Sequence, residues 1–372
     1  VKSWFEIDEG DDKNEPAELF DIDETVRIRK LWSTGVGDGQ GDGLYRLQPV
    51  IQGDVIYAAG ADGEVDAIDR ETGKRLWKIK LDYPISGGVG IYEDSLFVGT
   101  SDGFAARLNR DSGEEIWATR LRGEILAPPQ SDGSIVVVQS YDGRVQGLDY
   151  ETGEVQWTHD SNVPVLTIRG TSTPILSGGT VFAGFANGRV VALRADTGDL
   201  VWEVRVAISQ GRSEIDRIVD IDGTMVLAGG ELYAASYHGR VVAIDVASGR
   251  KIWQQDVSSF SGVAQGFGNI YVADEDGTVV AYLRTGQGER WSQGALAYRG
   301  LSHPTAVSSY LAIADFEGIV HLLSQVDGEF VGRVKVDRNG VHGDMLSDGN
   351  VLYVFGDSGK LVAYEITARD GG

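Results

Sequence analysis

Cysteine is absent from the sequence. That excludes a disulfide framework and thiol chemistry, and it fits either a reducing compartment or a bacterial periplasm. Basic residues are scarce: 33 Lys and Arg stand against 56 Asp and Glu, a formal charge of −23. Nucleic acid and anionic membrane surfaces both need a basic face, so neither is expected as a direct partner. No apolar run approaches the length that crosses a bilayer. No signal peptide is visible, and the chain begins at Val1 rather than Met, so it reads as a mature or trimmed form. Proline is sparse at 8 residues, whereas glycine is abundant at 51.

Part of the acidic excess is local. Residues 6–24 hold ten acids and a single base, Lys13, the composition of a solvated, flexible leader. Beyond it the chain repeats. "DGEVDAIDRETGKRLW" at 62–77 recurs as "DGFAARLNRDSGEEIW" at 102–117 and "DGRVQGLDYETGEVQW" at 142–157. Further copies start at 187, 238 and 276. A seventh, at 317–332, ends in Gly332 instead of Trp, and an eighth, "SGKLVAYEI" at 358–366, stops after one strand. The first glycine of each copy falls at 63, 103, 143, 188, 239, 277, 318 and 359.

Each unit reads as four short strands. Two apolar runs are followed by a tight Asp-Gly hairpin, where Gly63 supplies positive φ at low cost. An alternating strand and a second turn come next, with Thr72 bonding the turn and Gly73 left-handed. An outer strand then ends in a wedge-filling Trp. Units of this size and make-up predict an all-β fold, a β-propeller of four-stranded antiparallel blades. The Gly-His and Trp-Asp pairs of WD repeats are missing. Eight first glycines predict eight blades, and "RIRKLW" at 27–32 is the missing outer strand of the last one, supplied by the N-terminus. Closing the ring this way leaves no open sheet edge there. The expected organisation is a leader over 1–25, a propeller over 26–366 and a tail over 367–372.

The repeat is broken in two places. From each Trp to the next first Gly there are commonly 26 residues, but 31 after Trp157 and 37 after Trp202. The extra residues lie in "THDSNVPVLTIRGTSTP" and "EVRVAISQGRSEIDRIVDIDGT". Both link an outer strand to the next inner strand, on the face that carries the Asp-Gly hairpins, so they are neighbours on one rim. Leu166 and Ile168 are apolar residues on a connection, Arg169 follows them, and the second insertion carries Asp216, Arg217, Asp220 and Asp222. Two readings fit: a protein-binding patch of apolar anchors beside charged groups, or a loop that caps the ring with Arg169 paired internally to Asp220 or Asp222.

Catalytic signals are weak. The five histidines (159, 238, 303, 321 and 342) fall at unrelated positions in their units, without metal-ligand spacing, and read as surface or turn residues. "GVGDGQGDG" at 35–43 lacks the Gly-Lys-Ser/Thr of a phosphate loop and reads as a loop at the channel mouth. "DEGDD" at 8–12 and "DIDG" at 220–223 lack the ligand series of a calcium loop. No cofactor is expected.

The unit "DGxVxAxDxxTGxxxW" resembles the repeat of pyrroloquinoline-quinone dehydrogenases, which are eight-bladed propellers. More specifically, "LWSTGVGDGQGDGLYRLQPVIQGDVIYAAGADGEVDAID" at 31–69, "VLTIRG" at 165–170 and "SEIDRIVDID" at 213–222 are similar to the BamB family of outer-membrane protein assembly factors. The resemblance covers residues 26–366. It implies a non-catalytic, monomeric periplasmic lipoprotein of Gram-negative bacteria, within the β-barrel assembly machinery. It further implies binding to the polypeptide-transport-associated domains of BamA through Leu166, Ile168, Arg169, Asp220 and Asp222, and possible contact with unfolded outer-membrane proteins. The family anchors through a lipidated N-terminal Cys that this chain lacks, and the simplest account is that the chain begins after the anchor, with the acidic leader as tether. The competing reading is a quinone-dependent dehydrogenase on the same propeller, against which stand the absence of adjacent cysteines and the short chain.

Overall fold

In the repeat around Gly63, the Asp62-Gly63 turn reverses the chain between two strands, Val55–Ala59 and Glu64–Asp69, that are almost wholly buried. Gly63 takes φ +92°, the left-handed region that the turn requires. Both faces of these strands are covered by neighbouring sheets: Val55–Ala59 is apolar throughout, whereas Glu64–Asp69 alternates and has Glu64 and Asp66 buried as well. The outer strand, Arg75–Lys80, alternates between exposed and half-buried, because only one face meets protein. In the computed structural model, which describes residues 15–43, 45–164, 166–168, 170–208 and 218–369, these three strands and Val50–Gln52 form an antiparallel four-stranded sheet.

Seven more sheets of the same order follow, at 85–120, 130–160, 175–205, 226–256, 263–293, 305–335 and 346–368. They are blades 1 to 8 of a β-propeller, and no helix occurs among the described residues. Blade 8 takes its outer strand from the N-terminus. Val26–Gly35 pairs with Lys360–Ala368 from Val26 opposite Ala368 to Gly35 opposite Lys360, with one bulge between Lys30 and Trp32. The "RIRKLW" stretch is thus the closing strand. The core lies between blades, as where Phe182 and Val190 of blade 4 pack with Leu232 and Val242 of blade 5.

The repeated Trp joins each blade to the next. Trp77 donates its indole N–H to the Arg110 carbonyl of blade 2 (3.2 Å), and Trp157 and Trp202 reach Ala195 and Val246 of the following blades (each 2.8 Å). Its ring lies on the glycine of the next blade's second turn, so that a Cβ on Gly198 would stand 2.5 Å from Trp157. Gly198 also has φ +74°. Its glycine is therefore required twice, for conformation and for close approach. The seventh unit departs from this pattern for a physical reason. Blade 8 has no such turn, since its third strand ends at Ala368 and its outer strand arrives from Val26. A Trp there would have nothing to cover, and Gly332 instead leaves room for Val26 and Ile28, with Val26 Cγ2 2.6 Å from where a Cβ would stand.

One feature differs from expectation. Residues 15–25, assigned from composition to the leader, run along blades 6 and 7. The Ala17 N–H donates to the Ala297 carbonyl (2.9 Å) and the Thr25 N–H to that of Val331 (3.0 Å). Arg299 and Arg333 donate to the Ala17 and Phe20 carbonyls (2.9 and 2.5 Å), and Phe20 meets Phe330 edge-on. Leu19 and Phe20 supply apolar contact that an acid count does not register. Arg333 also holds His321, which is wholly buried rather than a surface or turn residue. Its Nδ1 accepts from Arg333 Nε (3.0 Å), so Nε2 carries the proton, 3.0 Å from Asp315. Burial pushes the His321 pKa down, with Asp315 opposing.

Candidate partner-binding face

Each connection from an outer strand to the next blade crosses its own Asp-Gly hairpin. After blade 1 the Leu81 N–H donates to the Gly63 carbonyl (2.9 Å) and the Ile85 N–H to that of Ala61 (3.2 Å). Connectors and hairpins therefore share a face, as the strand order requires. The glycine-rich run 35–43 lies on this face, with Gln40 N–H on the Asp357 carbonyl and Ala61 N–H on the Gly39 carbonyl. Arg46, just beyond it, donates to the Phe260 carbonyl between blades 5 and 6 (3.0 Å). That contact spans the axial mouth of the ring.

The two extended connectors meet on the same face. The first, 161–174, starts over its own hairpin, with Ser161 N–H on the Gly143 carbonyl (2.9 Å) and the Thr167 hydroxyl 2.7 Å from that of Tyr141. Asn187 of blade 4 holds the Asn162 carbonyl (2.8 Å). The second, 206–225, returns to described structure at Ile218, and Ile218, Val219 and Ile221 are buried. Ile221 N–H reaches the Phe185 carbonyl (3.3 Å), and the Asp220 carbonyl accepts from Tyr237 N–H (2.9 Å). The Asp220 side chain then turns to the first connector and accepts the Ile168 N–H. Asp222 sits against Gly170, where a Cβ would lie 3.0 Å from that of Asp222.

Of the residues singled out from sequence, Leu166 is exposed (43%) and Ile168 is half-buried. Asp220 and Asp222 are instead buried, at 1% and 5% exposure. Arg169, Asp216 and Arg217 lie outside the described residues. The structure thus joins Ile168 to Asp220 and sets both carboxylates inside the joint rather than at its surface. Burial pushes the Asp220 pKa up to about 7, with the Ile168 N–H opposing. Burial and then the charge of Asp220 push Asp222 up to about 8, with Arg46 opposing. Among the described residues, Asp220 Oδ1 and Asp222 Oδ2 have no hydrogen-bond partner. Sequence reading did not identify Tyr141, at a position before the hairpin that varies from repeat to repeat, nor Arg46, a lone base with no periodic signal.

Known proteins share both sequence and architecture with this chain. A family profile described as outer membrane protein assembly factor BamB matches residues 61–293. The outer membrane protein assembly factor BamB of Pseudomonas aeruginosa is 50% identical over 351 residues, covering 94% of this chain and 92% of that protein. Its counterpart from Yersinia pestis is 33% identical, covering 90% and 88%. The crystal structure of BamB from Moraxella catarrhalis superposes with a TM-score of 0.84 at 30% identity, covering 91% of this chain and all of that one. The quinohemoprotein alcohol dehydrogenase of Comamonas testosteroni has a TM-score of 0.72 at 15% identity, covering 93% and 78%, which is a likeness of fold alone. The Pseudomonas and Yersinia relatives are named as assembly factors rather than enzymes, and the dehydrogenase reading is not favoured. The chain belongs to the BamB family of outer membrane protein assembly factors.

Proposed function

We propose that this chain is a non-catalytic scaffold subunit of the outer-membrane β-barrel assembly machinery and binds the polypeptide-transport-associated domains of BamA through its two extended connectors. The observation that carries the reading is the exposed Leu166 on a connector held by its neighbour through the Ile168 N–H and the Asp220 carboxylate. An apolar side chain presented on a fixed loop is a good anchor, because little entropy is lost when it is buried in a partner. Leu166 and Ile168 dock into an apolar site on BamA, and Arg169 pairs with a carboxylate there. Asp220 and Asp222 act from within, as positioning residues. The protein works as a monomer on the periplasmic face of the outer membrane, held there by an N-terminal lipid anchor.

The test is co-purification with BamA. Arg169→Glu should abolish it with the melting temperature unchanged, a loss of roughly 2–5 kcal/mol for reversing one member of a buried charge pair. Undiminished capture by both Arg169→Glu and Leu166→Ala would remove the connectors from the interface.

A further inference from the structure

At the axial mouth, the same face holds a cavity of about 540 Å³. Phe260, Tyr298, Leu301 and Phe316 give it aromatic and apolar walls. That size and lining are typical of ligand sites. Its polar groups include His303, Asp344 and Arg46. His303 uses Nε2 against the Val263 carbonyl (2.9 Å), so in the neutral ring Nε2 is the donor and Nδ1 the acceptor. Nδ1 is buried, has no hydrogen-bond partner among the described residues, and lies 3.8 Å from Asp344 Oδ2. Arg46, also on the cavity wall, can only donate, and its Nη1 already holds the Phe260 carbonyl.

We infer that this cavity binds an aromatic residue of an extended polypeptide. The ring enters between Phe260, Tyr298 and Phe316, the peptide N–H goes to the Asp344 carboxylate, and the peptide carbonyl faces Arg46. A neutral peptide unit offers one donor and one acceptor together, matching the carboxylate and the guanidinium. A free aromatic carboxylate would suit Arg46 but meet Asp344, and an aromatic cation would suit Asp344 but meet Arg46. The cavity adjoins the second connector, whose Thr224 hydroxyl donates to Asp344 Oδ2 (2.5 Å), but its test does not involve BamA.

Isothermal titration with the blocked peptide acetyl-Ser-Gly-Phe-Gly-Ser-amide should give saturable binding. The same peptide with Ala at its centre, and 3-phenylpropionate, should each bind about tenfold more weakly or worse. Phe316 is 41% exposed, so Phe316→Ala should keep its melting temperature and lose the preference for the aromatic peptide. Arg46→Gln should weaken binding of that peptide while the preference persists. Equal binding of the two peptides, a preference for the carboxylate, no binding at all, or an unaltered preference in Phe316→Ala would each overturn the proposal.

Discussion

Two parts of the ring bring together segments that are distant or looped in the chain, and they are held in opposite ways. At the closure, Val26–Gly35 lies on Lys360–Ala368 through a backbone ladder. Between these two strands the exposed pair Arg29–Glu365 is a surface ion pair of small value, while Trp32 and Thr34 donate to the Arg70 and Gly73 carbonyls of blade 1 (2.9 and 3.0 Å). At the joined connectors, among the described residues, the two are linked by one N–H on one carboxylate. The ladder tolerates side-chain change because every residue offers the same backbone groups. The carboxylate link does not, since it depends on one acceptor. The closure is thus the durable contact, and the joint is the one that mutation or a rise in pH can loosen without unfolding the propeller.

The largest expected effect breaks the durable side. Deleting residues 26–33 removes most of the closing strand, exposes the edge of Lys360–Ala368 and takes the buried Val26 and Trp32 out of the core. Thermal unfolding should lose cooperativity or shift down by far more than for any point variant below, and the exposed edge should promote association. A melting curve coincident with the intact chain would show that the ring does not depend on this strand.

Next come the blade interfaces that both regions share. Gly198→Ala forces a Cβ to within 2.5 Å of Trp157 at φ +74°, whereas Gly178→Ala, at φ +57°, meets nothing within 4 Å. The first should cost about 1–3 kcal/mol for overpacking on top of conformational strain, and the second about 1 kcal/mol from strain alone. Chemical denaturation of the two variants separates close approach from conformation. Equal costs would mean that the Trp ring moves aside freely.

The specific side is probed by Asp220→Ala, which strands the Ile168 N–H. A cost of about 1–3 kcal/mol follows if that donor stays buried without a partner, with faster amide exchange at Ile168 in particular. Asp220→Asn keeps a carbonyl acceptor and should lie nearer the wild type. Unaltered exchange at Ile168 in the Ala variant would separate the two connectors.

Protonation tests the same joint. Asp220 and Asp222 hold their protons to about pH 7 and 8 in the folded chain, but to only about pH 4 when unfolded. Between those limits the folded state binds more protons than the unfolded one, so their contribution to stability is complete below about pH 4 and is lost as the pH rises towards 8. Asp222→Asn should flatten the fall in melting temperature between pH 5 and 8. An identical slope in the variant would show that Asp222 is ionised throughout.

Legibility in the sequence followed the same division. The repeat spelled out blade number, hairpins, second turns and closure, because each depends on residues close in the chain and repeated eight times. The site was legible only as a place. The extra residues after Trp157 and Trp202 marked the connectors, but spacing along a loop does not say which side chains turn inward. Hence Asp220 and Asp222 fitted a partner contact as well as an internal pair, and both are buried. Arg46 and Phe260, and Phe20 and Arg333, are 214 and 313 residues apart. No local pattern encodes pairs of that separation, and the acid count of 6–24 hid the two side chains, Leu19 and Phe20, that fasten the segment to blades 6 and 7.

The smallest effect on stability is the sharpest on function. Leu166 is exposed, so Leu166→Ala should change the folding free energy by no more than about 0.5 kcal/mol, while removing an anchor from the proposed BamA contact. Leu81, on the short connector after blade 1, is 9% exposed and packs in the core. Leu81→Ala should therefore cost about 2–5 kcal/mol and leave capture of BamA by the folded fraction unchanged. The two substitutions delete the same atoms from the same kind of connection on the same face. If stability and capture move in opposite directions between them, the long connectors are surplus to the fold and kept for a partner. Parallel losses would instead make the first connector a cap on the ring, the other reading that its sequence allowed.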